Sequence, residues 1–155
     1  DATGVVIPCT NTGQDGEYRA GVAWPNPHFT VGTGASADCV TDNLTGLMWV
    51  RAPNPTTAIW TAALTRANDL TLCGFSDWRL PNINELESLV NSEVGNQATF
   101  LNTQGFSVQP NVYWSSSTYA ANAGSAWFVF MAVGNVSAID KTQFSLSVWP
   151  VRAGQ

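Results

Sequence analysis

This sequence is poor in charge. Asp, Glu, Lys and Arg make up 11% of its 155 residues, less than half of the roughly 25% usual in globular proteins. Lys and Arg number six against eleven Asp and Glu, for a formal net charge of −5. There is no basic run, which excludes recognition of DNA or RNA through the phosphate backbone. The same scarcity argues against electrostatic capture of anionic membranes or sulfated glycans. Long apolar runs are also missing. None approaches the roughly 20 residues of a transmembrane helix, so no membrane insertion of this domain is expected. No signal peptide is visible, and a leader or tether upstream of Asp1 is the expectation.

Catalytic and metal-binding patterns are equally scarce. Cys9, Cys39 and Cys73 match no metal motif. One disulfide plus a free thiol, or three reduced thiols, both remain open. His28 is the single histidine. A Ser-His-Asp site would need it as base, with Ser115, Ser116 or Ser117 as nucleophile; a structural or surface role in its loop is the preferred reading. Glu85 and Glu87 lie two apart, so on a helix they do not face each other, and no glycosidase carboxylate pair is indicated. Asp38, Asp42 and Asp77 could hold a structural Ca²⁺, but without EF-hand spacing. The expectation is therefore no enzyme activity, no cofactor and no metal site.

What the chain does have is large apolar mass. Hydrophobic residues are 45%, with seven Trp and seven Phe, enough buried area to exclude disorder. Residues 1–155 read as a single domain with a sizeable core, residues 1–12 as an N-terminal extension or edge segment. Solubility must rest on Asn, Thr, Ser and Gly.

Turn signals crowd the first half, at Asn11-Thr12-Gly13 and Gln14-Asp15-Gly16. Two prolines make Trp24-Pro25-Asn26-Pro27 an ordered loop anchored by Trp24. Val40-Thr41 and Leu47 to Val50 read as two short strands around a turn at Asp42 to Gly46. Two helices follow. Thr57 would cap the first; Ile59, Trp60, Ala63, Leu64, Ala67 and Leu70 form its apolar face, and Gly74 its stop. Asn82 would cap the second, with Glu85 completing a capping box and Leu86, Leu89 and Val90 as its stripe. The last third reads as a β meander, with strands at Tyr113 to Ser115, Ala126 to Ala132, Val136 to Ile139 and Val148 to Arg152. This order implies an α+β fold with an antiparallel sheet.

From Tyr119 to Ser147, only Asp140 and Lys141 carry charge. Alternation puts Trp127, Val129 and Met131 on one face of their strand and Phe128 and Phe130 on the other. Pattern alone favours a strand buried on both faces. An exposed Phe pair would instead mark an interaction patch.

Several longer motifs resemble one family. They are Gly21 to Pro27, Val40 to Trp49, Asp77 to Asn82 followed by Glu85-Leu86, Tyr113 to Ser116, and Val148-Trp149-Pro150-Val151-Arg152. Together they resemble the Lcl C-terminal-like domain family, from about Gly13 to the C-terminus. The resemblance implies a C-type-lectin-like fold, with two helices packed on a small twisted antiparallel sheet and long ordered loops. It further implies kinship with variable proteins of diversity-generating retroelements, in which template adenines are randomised. The fixed framework of such proteins is similar to Tyr113 to Ser116, Trp127/Val129/Met131, Gly134 to Val136, Asp140-Lys141 and Val148 to Arg152. The interleaved residues would then be the variable, ligand-binding ones: Phe128, Phe130, Ala132, Val133, Ser137, Ala138, Ile139, Thr142, Gln143, Phe144, Ser145, Leu146 and Ser147, with Ala120, Ala121 and Ala123 at the margin. Randomising the first two bases of an AAC codon yields every one of these residue types except Gln, so Gln143 departs from the rule. Random residues in a core would ruin packing, so the resemblance places Phe128, Phe130 and Phe144 on the surface and near one another. Trp49, Trp78, Trp114, Trp127 and Trp149 would be the buried scaffold. Formylglycine-generating relatives use C-terminal cysteines, and none follows Cys73. Gln109-Pro110-Asn111 is similar to a calcium-lectin sugar tripeptide but lacks the downstream Trp-Asn-Asp-type segment, so a turn proline is the preferred reading.

The functional expectation is a receptor-binding or adhesion module with a hypervariable C-terminal surface, diversified by a retroelement. It would take an unknown protein or cell-surface ligand, outside a cell or on a phage tail. A non-diversified surface adhesin domain that binds glycans is the alternative.

Overall fold

The computed structural model describes residues 25–153, together with Asn11 and Gly13. Expectations for Cys9, for Trp24 and for the segment 1–12 other than Asn11 lie outside the described residues. In chain order the elements are β1 (Phe29–Val31), β2 (Cys39–Asp42), β3 (Leu47–Val50), α1 (Trp60–Asn68), α2 (Ile83–Glu87), α3 (Gln97–Thr103), β4 (Val112–Thr118), β5 (Ser125–Phe130), β6 (Asn135–Asp140) and β7 (Val151–Ala153). The fold is α+β with antiparallel pairing, as the element order implies. It departs from the expected single small sheet with two helices. There are two sheets, β1-β2-β3-β7 and β4-β5-β6, and three helices among the described residues.

The reason for two sheets lies in the ending Val148 to Arg152. It does not continue the meander. Val148 to Pro150 runs without strand pairing, and β7 then joins β3, with Trp49 opposite Val151. Trp149 sits in the corner this creates. Its indole N–H donates to Val50 O at 2.8 Å. Its ring meets Trp49, Phe106 and Tyr113 at centroid distances of 5.5, 5.6 and 5.3 Å, within the range for favourable edge-to-face aromatic pairs. Trp78, Leu86, Leu101, Val129 and Met131 belong to the same main core. A second core lies on the opposite face of β4-β5, where Trp114 and Ala126 pack with Ala58, Ala63, Ala67, Leu80 and Val148. The middle of that sheet is thus buried on both faces.

Helix α1 starts and stops later and earlier than its sequence signals. Thr57 does not cap it; Ile59 holds the N-cap position with no side-chain bond. Ala58 instead exchanges backbone bonds with Leu146, at 2.9 and 3.0 Å, and this bridge keeps the chain extended through Ile59. Ile59, expected on the apolar face, is therefore exposed. The helix ends at Asn68, and Gly74 serves a separate turn in which Leu72 pairs with Phe75. In that turn Cys73 is tied by a disulfide to Cys39 at the start of β2. Of the two cysteine readings, the structure takes the disulfide.

Helix α2 takes the expected cap but ends at Glu87, so of its expected stripe Leu86 is helical while Leu89 and Val90 lie beyond the helix. Asn82 Oδ1 accepts from Glu85 N–H and Glu85 Oε2 from Asn82 N–H, a reciprocal capping box. Arg79 clamps Glu85 through both guanidinium nitrogens, at 2.7 and 2.6 Å. Helix α3 has only a weak signature in the sequence. Its cap, Asn96 accepting from Thr99 N–H, is an ordinary local signal, but only Ala98 and Leu101 form a buried apolar stripe and the third buried residue is Gln97. Gln97 is satisfied in place, accepting from Asn91 N–H and donating to Val94 O. No helix among the described residues is long and apolar enough to cross a membrane.

The disulfide closes a separation of 34 residues, for which chain entropy gives a stabilisation of roughly 3–4 kcal/mol. Reduction should lower the urea midpoint by a corresponding amount. An unchanged midpoint in reductant would show that the crosslink contributes nothing.

Candidate functional site

The β5–β6 hairpin and the segment behind it are shaped by the charged pair Asp140-Lys141. Asp140 Oδ1 accepts from Thr142 N–H, Thr142 Oγ1–H and Gln143 N–H at 2.7, 2.8 and 2.9 Å. These bonds, the Thr142 N–H first, hold its carboxyl below the ordinary value of 3.8. Lys141 Nζ donates to Thr118 Oγ1 and Ala123 O, and lies 4.1 Å from the centre of the Trp60 ring. Six residues later the chain is tied down again. Leu146 pairs with Ala58, Ser147 N–H donates to Val112 O, and Ser147 O accepts from Trp114 N–H. Between the two ties, Thr142, Gln143, Phe144 and Ser145 are exposed, Phe144 by 47%.

The hairpin turn is fixed in the same way. Gly134 has φ +76°, and a Cβ there would lie 2.6 Å from Val90 Cγ1, so only glycine fits. Beside it Val133 is 59% exposed. Ala120, Ala121 and Ala123 are exposed in the turn before β5, and Ser137 is exposed on β6. Ala132, Ala138 and Ile139 are half-buried.

Other expected site residues lie deeper. Phe128 and Phe130 are half-buried rather than openly exposed. Phe128 packs on the second core with Trp60, Leu64, Ile139 and Leu146, since α1 covers that face. Phe130 lines a cleft of about 290 Å³ with Pro110, Asn111, Val112, Ser145, Leu146, Ser147 and Thr57. Among the described residues, neither Phe nor Phe144 stacks on another aromatic ring, so the three do not form one aromatic cluster. Ser147 is 1% exposed and is a correction: its backbone bonds to β4 pull it inside. Ala138 lies on the sheet face opposite Phe128, because it pairs with Trp127.

Trp49, Trp78, Trp114 and Trp149 are buried, whereas Trp127 is half-exposed. The β4–β5 register breaks between Trp114 and Thr118. Trp127 sits opposite that bulge, past the edge of the main core, and meets the Tyr119 ring edge-on at 5.1 Å. A pocket of about 210 Å³ opens between this pair and Val136, Ser137 and Ala138. The cleft walls Thr57 and Val112 carry no sequence signal for a site, and Pro110-Asn111 belong to the tripeptide that resembles a calcium-lectin sugar motif but reads preferentially as a turn.

Groups weighed for catalysis or metal are otherwise engaged. His28 Nε2 lies 3.1 Å from Asp42 Oδ1. Asp42 also accepts from Leu44 N–H and Thr45 Oγ1–H within the β2–β3 turn. Asp77 is paired with Arg152 at 2.7 and 3.1 Å. The Ser115 and Ser116 hydroxyls donate to Trp127 O and Pro81 O, and Ser117 Oγ accepts from Ile83 N–H. Among the described residues no group of three or more His, Cys, Asp or Glu could hold a metal ion.

The model of the Lcl C-terminal domain matches residues 38–152. The chain belongs to this family. No curated protein matches it. In this Lcl C-terminal domain the motifs have plain structural duties. Asp77 and Arg152 form the ion pair, with Arg152 stacked 3.7 Å from the Phe75 ring centre. The Trp78 indole N–H donates to Leu72 O, Pro81 O accepts from Ser116 N–H, and Asn82 and Glu85 cap α2.

Two outcomes test this geometry. Lys141→Met should destabilise the domain by about 1–2 kcal/mol, the sum of a cation–π contact and two hydrogen bonds, measured by denaturant unfolding. The Asp140 pKa is depressed on folding, so its contribution is present above 3.8 and is lost as pH falls through the folded value. Amide exchange at Thr142 and Gln143 should therefore accelerate only below the ordinary carboxylate range, and an Asp140→Asn variant should abolish that pH dependence.

Proposed function

We propose that this Lcl C-terminal domain is a non-enzymatic ligand-binding module on a C-type-lectin-like scaffold. Its binding residues are those displayed between the ties of the C-terminal region, and they are diversified by a retroelement. The observation that carries the reading is the interleaving of tied and free positions. Asp140, Lys141, Gly134 and Trp149 each meet a specific structural demand, while the side chains of Val133, Ser137 and Gln143 to Ser145 project without one. Such positions can change at little cost, since surface substitutions usually stay within about 0.5 kcal/mol.

The ligand is a protein surface on a cell envelope or receptor. The cleft beside Phe130 is shallow and largely apolar, with Pro110, Val112 and Leu146 in its walls. A free sugar would need a denser set of hydrogen-bonding partners for its hydroxyls. Phe130 and Phe144 serve as anchors, with Phe128, Ile139 and Leu146 contributing from partly buried positions. The disulfide fits an extracellular or virion setting.

Replacing Phe144, Gln143 and Ser137 together by Ser, Ser and Ala should leave unfolding free energy within about 1 kcal/mol, whereas Trp114→Ala should cost about 3–5 kcal/mol. Equal losses would sink the division into scaffold and display. Diversification is checked in the flanking DNA, where a reverse transcriptase gene and a near-copy of the 3′ coding end differing at adenines are expected. Their absence would remove the retroelement and leave the binding module.

A further inference from the structure

Strand β6 is the outer edge of its sheet, paired on one side only. Antiparallel residues alternate between those that exchange hydrogen bonds with the neighbour and those that turn N–H and C=O away. Lys141 N–H donates to Gly124 O at one end of the ladder, and Met131 N–H to Asn111 O on the far side of β5. This phase sends the backbone groups of Val136, Ala138 and Asp140 outward. Among the described residues no hydrogen bond to these outward groups is present.

Proteins blunt such edges with charge, proline or bulges. Strand β6 has none of these before Asp140 at its end, and its register with β5 is unbroken. The pocket walled by the Tyr119–Trp127 pair opens on the same stretch, lined by Val136, Ser137 and Ala138.

We propose that β6 receives an extended segment of the partner protein as an added strand, with one large apolar side chain of that segment seated in the pocket between the Tyr119–Trp127 pair and β6. The inference rests on the reading of this region as a binding surface. Main-chain bonds along the edge do not depend on side-chain identity. They would supply a constant part of the affinity while side chains on β6 vary. A second copy of this chain is the poorer occupant. A symmetric pairing would present its own Val136 and Ala138 to the neighbourhood of the pocket, and these are too small to fill about 210 Å³.

The test uses the whole chain and a displayed library of random linear peptides. Selected peptides should slow exchange of the Val136, Ala138 and Asp140 amides, and should carry an aromatic or large aliphatic residue whose benefit disappears in Trp127→Ala. Ala138→Pro removes one outward N–H that the fold does not use, so it should fold and bind about tenfold more weakly. The exchange measurement needs no variant, so it stands even if the proline variant unfolds. Failure to select any peptide, binders that leave the three amides unprotected, or undiminished binding by Ala138→Pro would each overturn the proposal. A binder that depends on Phe130 and Phe144 with those amides unprotected overturns the edge alone and leaves the binding module. A concentration-dependent dimer broken by Ala138→Pro overturns it in favour of a second copy.

Discussion

The corner at Trp149 holds the two sheets together. Its indole N–H reaches Val50 O on the first sheet, and its ring lies against Tyr113 of β4 on the second. Val148 immediately before it enters the second core, while Val151 after it pairs with Trp49. Three successive demands are thus met by one stretch of chain. A buried indole with its N–H satisfied contributes both its large apolar area and a directional bond. Without that corner, β7 would have no reason to leave the meander, and the chain from Lys141 to Ser147 would have no fixed return point.

That fixed return is what makes the display surface definite. The segment is pinned at Asp140-Lys141 and again at Leu146-Ser147, so its exposed middle is short and begins and ends in known places. The pins themselves are backbone bonds or involve Lys141, Asp140 and Trp60. None draws on the side chains of Gln143, Phe144 or Ser145. Preorganised loops lose less entropy when they bind. A surface can then change its side chains while its backbone keeps one shape.

The poverty of charge takes on meaning at this surface. With Lys141 occupied by Thr118, Ala123 and Trp60, and Asp140 by its own turn, the exposed positions around them are neutral. Recognition here therefore rests on shape, apolar contact and hydrogen bonds rather than on steering by long-range fields. The half-buried Phe128 and Phe130 occupy a middle ground. Each contributes to the second core or its cleft and still offers part of its ring outward, so neither is as free to change as Phe144.

Local signals in the sequence determined the local structure. The Asp42 to Gly46 turn, the Asn82–Glu85 capping box and the strands β4, β5 and β6 follow from short-range chemistry, and the residues 38–152 carry the family's motifs. The tertiary structure alone decided what depends on partners distant in the chain. Ala58 meets Leu146 and delays α1; Cys73 finds Cys39 across 34 residues. Ser147 looked like a neighbour of Ser145 but is drawn inside by β4, and the bulge opposite Trp127 leaves that ring half outside. Alternation along β5 sets which face Trp127 shares with Val129, but burial depends on what packs over that face, and the covering comes from elsewhere in the chain.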